Sequence, residues 1–173
     1  MDVTTICSIY AYNTWANERL FATARQLTPE QFVATAHASF GTLRDVLVHL
    51  VNAQRGWLAR VRLETPSPGL RAGDFPDLAA LVAVWRSIDA AMNEYVGGLT
   101  KAELAEVIRY TDSAGRLNAY TRGQMLFHQA NHAAQHRSEV ALILTQMGYS
   151  TGDLDYRRFL DATGQNQAWH STK

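Results

Sequence analysis

Three histidines stand at four-residue intervals in one short stretch of the sequence: His128, His132 and His136. On an α-helix, residues four apart lie on one face, about 6 Å apart along the axis. The three imidazoles would therefore form a single ridge. A buried imidazole needs partners for its ring nitrogens, and a divalent metal ion takes one nitrogen from each of several histidines. The spacing thus points to a metal site.

One helix is not expected to supply all the ligands. His128 and His136 lie about 12 Å apart along a helix axis, which is too far for one ion with bonds near 2 Å. His49 is the candidate from a second helix because it interrupts the apolar run at 47–51. A single histidine in such a run is more often a hydrogen-bonded core residue. Spacing does not choose between the pairs 128/132 and 132/136, and His128 is a ligand, a partner of a ligand or a surface residue.

The other two histidines and the single cysteine give weaker indications of a functional site. His37 is near a predicted helix start and His170 is in the polar tail, so both are expected to be solvated. Cys7 is the only cysteine, which excludes an intramolecular disulfide and fits a reducing compartment. Cys7 is a conceivable nucleophile, but a lone cysteine near a helix start is usually a small packed residue.

The composition restricts the class of protein. Sixteen basic and sixteen acidic side chains cancel in 173 residues, which argues against a nucleic-acid partner. No apolar run reaches the length of a membrane span, and the first residues lack the pattern of a signal peptide. We therefore predict a cytoplasmic protein with neither nucleic acid nor membrane as a partner.

Apolar residues at three- and four-residue spacings predict four long helices that position the histidines. They cover residues 3–26, from a cap at Ser39 or Thr42 to 63, from a cap at Asp77 to 96, and 122–147. Shorter helices are predicted at 29–35 and 155–163, and the proline-rich segment 65–76 is predicted to be a loop.

Residues 104–120 have a different pattern, which predicts a β-hairpin that turns at 112–115. The fold class is therefore mainly α, an up-down-type four-helix bundle with a small β-hairpin between the third and fourth long helices. We expect a single domain over residues 1–165 and a polar C-terminal tail over 166–173.

Four segments of the chain are similar to the sequence motifs of a known protein family. They are YNTWANERL at 12–20, SFGTLRDVLVHL at 39–50, NHAAQHR at 131–137, and MGY at 147–149 followed by DLD at 153–155. Together they resemble the DinB/YfiT-like family of metal-binding four-helix bundles, in the family's order and over nearly the whole chain. The resemblance implies that His49, His132 and His136 are the metal ligands, with His128 one turn outside them.

The sequence departs from the family at one place. The last motif commonly continues Arg-Gly-Gln, whereas this chain has Arg137, Ser138 and Glu139. Glu139 falls on the histidine side of the helix, so we expect it to accept a ligand N–H or to line the pocket. The departure leaves the three histidines intact but weakens any inference about the substrate.

Three protein nitrogens would leave one position of zinc or nickel open, which is typical of a catalytic site. The superfamily that the chain resembles includes thiol-dependent S-transferases and isomerases. By that resemblance we expect the metal ion to activate a low-molecular-weight thiol or water. The alternative is a non-catalytic metal- or ligand-binding stress-response protein, and a third is an interaction module without metal. The resemblance also suggests a homodimer. No general base is evident.

Six further residues are candidates for the pocket or for contacts with the ligands. They are His128, Glu139, Asp45, Asn52, Trp15 and Trp57. A solvated or helix-capping role would account equally well for a polar residue at Asp45 and at Asn52. Tryptophans at helical spacing more often belong to the core.

Overall fold

The computed structural model describes residues 2–36, 39–112 and 114–166. The long helices are α1 (Val3–Ala24), α3 (Leu43–Val61), α4 (Leu78–Gly97) and α6 (Arg122–Gln146). The shorter elements are α2 (Pro29–Phe32), a 3₁₀ turn (Ala72–Asp74), α5 (Lys101–Ala105), strands β1 (Val107–Thr111) and β2 (Leu117–Thr121), and α7 (Tyr156–Ala162). The two strands pair in an antiparallel hairpin between α4 and α6. The predicted fold class, mainly α with a small β-hairpin between the third and fourth long helices, is confirmed.

The predicted start and stop signals determine where the long helices begin and end. Thr42, not Ser39, caps α3: its hydroxyl accepts from the backbone N–H of Asp45, whose carboxylate accepts from Thr42 in return. Thr121 and Gln124 form the same reciprocal pair at the start of α6, whereas Asp77 caps α4 through one bond, accepting from the backbone N–H of Ala80. Gly148 follows α6 with a φ of 90°, a left-handed conformation that glycine adopts without strain.

Two buried apolar clusters define the direction of each helix. One cluster contains Leu20, Leu47, Trp85 and Ile143, and the other contains Ile6, Leu58, Met92 and Met125. Along α1 and α6 the chain passes from the second cluster to the first, and along α3 and α4 it passes the other way. The helices therefore run up, down, down and up, and the segment 62–77 returns along the length of the bundle.

A buried polar group lies between the clusters. Asp89 of α4 is 7% exposed, and its carboxylate accepts hydrogen bonds from the Thr14 hydroxyl at 2.6 Å and the Gln54 amide at 2.8 Å. Because unpaired polar groups are costly in a core, these bonds hold α1, α3 and α4 in one register. That register fixes the position of α3, the helix that bears His49.

The structure corrects several predicted boundaries. Residues 104 and 105, predicted to start the hairpin, instead end α5, because Thr100 and Glu103 make a capping box at its start and Leu104 is buried. The hairpin loop covers 112–116, one residue more than predicted. Helices α1, α2 and α3 end two or three residues early, and the predicted loop 65–76 contains the 3₁₀ turn. His37 and His170 lie outside the described residues.

None of the helices within the described ranges combines the length and apolarity needed to cross a lipid bilayer.

Candidate metal centre

Helices α3 and α6 pack against each other and bring three histidines together. His49 comes from α3, and His132 and His136 come from α6. One ring nitrogen of each lies within 4.8 Å of the other two. His136 is buried, and the other two are half-buried. Val48 and Leu50, which flank His49 in the chain, are both buried. The His49 imidazole therefore lies at the seam between the two helices.

The separation of the nitrogens fits a small cation. The Nε2 atoms of His49 and His132 are 3.2 Å apart. Two ligands of a tetrahedral zinc ion with bonds of 2.0–2.1 Å lie about 3.3–3.4 Å apart. The ring centroid of His136 is 4.6 Å from each of the other two rings. The three imidazoles thus surround one point, as a shared ion requires.

Glu139 fixes the orientation of His136. The Nδ1 of His136 lies 2.9 Å from Oε2 of Glu139, one turn later on α6. The Ser39 hydroxyl donates to the same oxygen at 2.9 Å, and the Ser39 backbone N–H donates to Oε1. Burial opposes ionisation of Glu139, but the hydrogen bonds from Ser39 and His136 outweigh it and lower its pKa. The arrangement leaves Nε2 of His136 for an ion, as in metal sites whose histidines bond to carboxylates.

The site favours neutral imidazoles. Burial, followed by the neighbouring His136, His49 and His128, lowers the pKa of His132 from 6.5 to about 4. Burial and His136 also lower the pKa of His49. A metal ion binds the unprotonated ring. Within the described part of the chain, Nδ1 of His132 is buried without a hydrogen-bond partner.

Phe40 covers one side of the cluster. Its ring stacks on His49 with centroids 4.0 Å apart and planes at 20°, and it meets His136 at 5.5 Å with the planes at 61°. Ser39, the preceding residue, is the one bonded to Glu139. The Ser39 contact therefore positions an aromatic wall against two of the three rings.

His128 lies apart from the other histidines of α6. Its ring is 6.2 Å from His132, against 4.6 Å between His132 and His136. The ring of Trp57 meets His128 at 4.8 Å and an angle of 62°. Both residues line a cavity of about 440 Å³ beside the β-hairpin. His128 and Trp57 therefore border a pocket next to the cluster.

The remaining candidates have other contacts. Asp45 bonds to Thr42 in the cap of α3. The Asn52 amide bonds to both the N–H and the C=O of Leu70, which ties the long connection to α3. Trp15 packs with Tyr12 and Phe159 where α7 meets α1. Cys7 is half-buried, and its thiol lies 3.8 Å from a backbone carbonyl on α4.

The sequence interpretation missed the contacts of Ser39 and Phe40, and the hairpin residues Tyr110 and Tyr120. Ser39 is distant from Glu139 in sequence, and no local pattern links them. The predicted hairpin did carry a signal for the tyrosines, because alternate residues of a strand lie on the same face. Pairing of Tyr110 with Asn118 and of Ile108 with Tyr120 puts both tyrosines on one face of the hairpin.

A family model described as the DinB family matches residues 1–169. This chain belongs to the DinB family. The protein DinB of Bacillus subtilis (strain 168) is 24% identical over 165 residues, which are 92% of this chain and 96% of that protein. The family assignment agrees with the resemblance inferred from the motifs.

Two solved structures share the fold of this DinB-family chain. A DinB-like protein from Bacillus cereus has a TM-score of 0.60 at 20% identity, covering 81% of this chain and 91% of its own. A conserved protein from Enterococcus faecalis has a TM-score of 0.63 at 14% identity, covering 83% and 96%. At these identities the likeness concerns the fold alone.

The lowered histidine pKa values predict acid sensitivity of the metal-free protein. Between pH 6.5 and about 4, His132 binds a proton in the unfolded chain but not in the folded one. The contribution of neutral His132 to the free energy of unfolding is therefore fully present above pH 6.5. It is lost as the pH decreases from 6.5 to about 4. We expect the chelator-treated protein to lose more thermal stability between pH 7.5 and 5.0 than His132→Asn does, measured by circular dichroism. An equal loss in both proteins would contradict this expectation.

Proposed function

We propose that this DinB-family protein holds one divalent metal ion between α3 and α6, with His49, His132 and His136 as its ligands. The observation that carries the proposal is the convergence of three ring nitrogens within 4.8 Å. The 3.2 Å between two Nε2 atoms and the neutral state favoured for His49 and His132 support it. Zinc and nickel are the ions we favour, since both accept imidazole ligands.

The donor set favours an open site. Among the described residues, the cluster holds three histidines and no fourth protein ligand. The nearby carboxylate, Glu139, already accepts from Ser39 and His136. A structural zinc site is normally closed by four protein ligands, whereas a catalytic site keeps a position for water or substrate. An ion held here would act as a Lewis acid that lowers the pKa of a small molecule bound to it.

We further propose that the protein is a metal-dependent enzyme that activates a small thiol or water, of the S-transferase, isomerase or hydrolase type. The chain's own residues would have separate tasks. Glu139 and Ser39 hold the His136 ring in one orientation, which keeps its free nitrogen directed into the cluster. Phe40 shields the rings of His49 and His136 from solvent on one side. His128 and Trp57 form the wall on another side.

Metal content tests the ligand set. The protein is purified without a nickel column, dialysed against zinc or nickel, and analysed by inductively coupled plasma mass spectrometry. We expect about one equivalent in the parent and almost none in His132→Ala, because removing one of three ligands leaves too few donors. His128→Ala is the matched control, a histidine of the same helix outside the cluster, and should keep the metal. A parent that retains neither ion would overturn the proposal, and so would equal loss from both variants.

Turnover tests the catalytic part. The metal-loaded protein is given a panel of small thiols with 1-chloro-2,4-dinitrobenzene, which yields a thioether and chloride, and separately an activated ester for attack by water. We expect product formation in at least one assay that is abolished by chelation and by His132→Ala. A protein that binds one metal ion but turns over nothing in the panel would contradict the catalytic role and favour the non-catalytic alternative.

A further inference from the structure

A cavity of about 440 Å³ lies where the β-hairpin meets α3 and α6. This volume is typical of sites for small organic ligands. We infer that this cavity binds a neutral, planar aromatic molecule with hydrogen-bonding groups at its edge. The inference does not depend on the proposed metal centre, because the cavity is lined by residues other than His49, His132 and His136.

The hairpin face that packs on the bundle leaves part of its aromatic surface uncovered. Strand pairing puts Ile108, Tyr110, Asn118 and Tyr120 on one face of the hairpin. Ile108 is 3% exposed and anchors this face in the core, whereas Tyr120 is 46% exposed and Tyr110 is half-buried. Uncovered apolar surface that lines a cavity is a feature of ligand-binding grooves.

Aromatic rings from three elements line the cavity. Trp57 comes from α3, His128 from α6, and Tyr110 and Tyr120 from the hairpin. Trp57 meets Tyr110 with ring centroids 6.1 Å apart and planes at 83°, and it meets His128 at 4.8 Å and 62°. Met125, 1% exposed, adds a buried apolar side chain to the lining. A flat aromatic molecule can stack on one of these rings while it meets another edge-on, which a saturated molecule of the same size cannot do.

Arg60 supports two of these rings from a neighbouring cavity. Its guanidinium lies 5.0 Å from the ring centroid of Trp57 and 5.5 Å from that of Tyr110. Arg60 lines the neighbouring cavity together with Glu64, so its charge belongs to that cavity. The cation–π contacts stabilise both rings in their positions. Because the walls are ordered before a ligand arrives, binding loses less conformational entropy.

The charges of the lining favour a neutral ligand. Its carboxylate and its guanidinium, Asp112 and Arg116, form an ion pair at 2.8 Å. The Asp112 carboxylate also accepts the backbone N–H groups of Ala114 and Arg116. A charged ligand would therefore lose water without gaining a counter-charge, which costs free energy.

Uncharged polar groups lie among the rings and can pair with the edge of a ligand. Tyr110 and Tyr120 bring hydroxyl groups to the lining, and Gln124 brings an amide. The amide oxygen of Gln124 accepts from the backbone N–H of Thr121 in the cap of α6. Its NH₂ group is left to donate, and a tyrosine hydroxyl can both donate and accept. An aromatic wall with a few such groups is the usual composition of a small-molecule site.

The probe is 2-naphthamide, titrated into the full chain by isothermal titration calorimetry at about pH 8, where an imidazole of ordinary pKa is uncharged. EDTA is present throughout, so that no metal ion can coordinate the compound. Decahydronaphthalene-2-carboxamide has the same amide on saturated rings, and 2-naphthoate and 2-naphthylmethylamine have a negative or a positive charge on the same aromatic rings. We expect 2-naphthamide to bind about threefold or more tightly than each of the other three, because it alone is both planar and uncharged.

Substitutions in the hairpin locate the binding. Tyr120→Ala removes a ring from the lining and should weaken 2-naphthamide about fivefold. Asn118→Trp fills the cavity with a new ring and should weaken it about tenfold or more, because the space for the ligand is occupied. Leu117→Ala is the matched control, since Leu117 lies on the same strand, is 88% exposed and belongs to the opposite face. It should leave the affinity unchanged, and thermal unfolding should verify that all three variants fold.

The inference is overturned if 2-naphthamide does not bind, or if any of the three comparison compounds binds as tightly or more tightly. It is also overturned if Tyr120→Ala or Asn118→Trp binds 2-naphthamide like the parent, or if Leu117→Ala loses as much affinity as they do. Failure of the proposed metal centre is a separate result. It would appear in the metal analysis and leave the naphthamide titration in EDTA unchanged.

Discussion

The packing of α3 against α6 is the constraint on which the site depends. The helices run in opposite directions, and their contact places His49 between His132 and His136 of the facing helix. Three half-buried or buried imidazoles at one seam are costly when charged and incompletely paired when neutral. The pKa of His132, lowered to about 4, reflects that cost. A shared cation would relieve it by taking one nitrogen from each ring.

The two sides of the seam have different surroundings. On one side, Glu139 bonds to both His136 and Ser39, and Phe40 covers the rings of His49 and His136. On the other side, His128 and Trp57 open onto the cavity under the hairpin. The short two-stranded sheet, which contributes little to the core beyond Ile108, thereby gains a role as a pocket wall.

Local signals in the sequence predict most of the fold, because capping residues, apolar spacing and turn residues act over a few positions. The α5 helix was missed although Thr100 and Glu103 form a capping box. The histidine ridge also follows from spacing, but the choice between His128 and His136 does not. That choice depends on how α3 crosses α6, which a single helix cannot encode. The contact of Ser39 with Glu139 joins residues 100 positions apart and has no local signature.

X-ray absorption spectroscopy of the zinc-loaded protein tests the ligand set at the atom level. The account predicts about three nitrogen neighbours with the scattering pattern of imidazole, at roughly 2.0–2.1 Å, together with one or two oxygen neighbours from solvent. Loss of an imidazole shell in His49→Ala would assign one of the nitrogens to α3. A spectrum with sulfur from Cys7, with oxygen neighbours alone, or unchanged in His49→Ala would contradict a centre built from His49, His132 and His136.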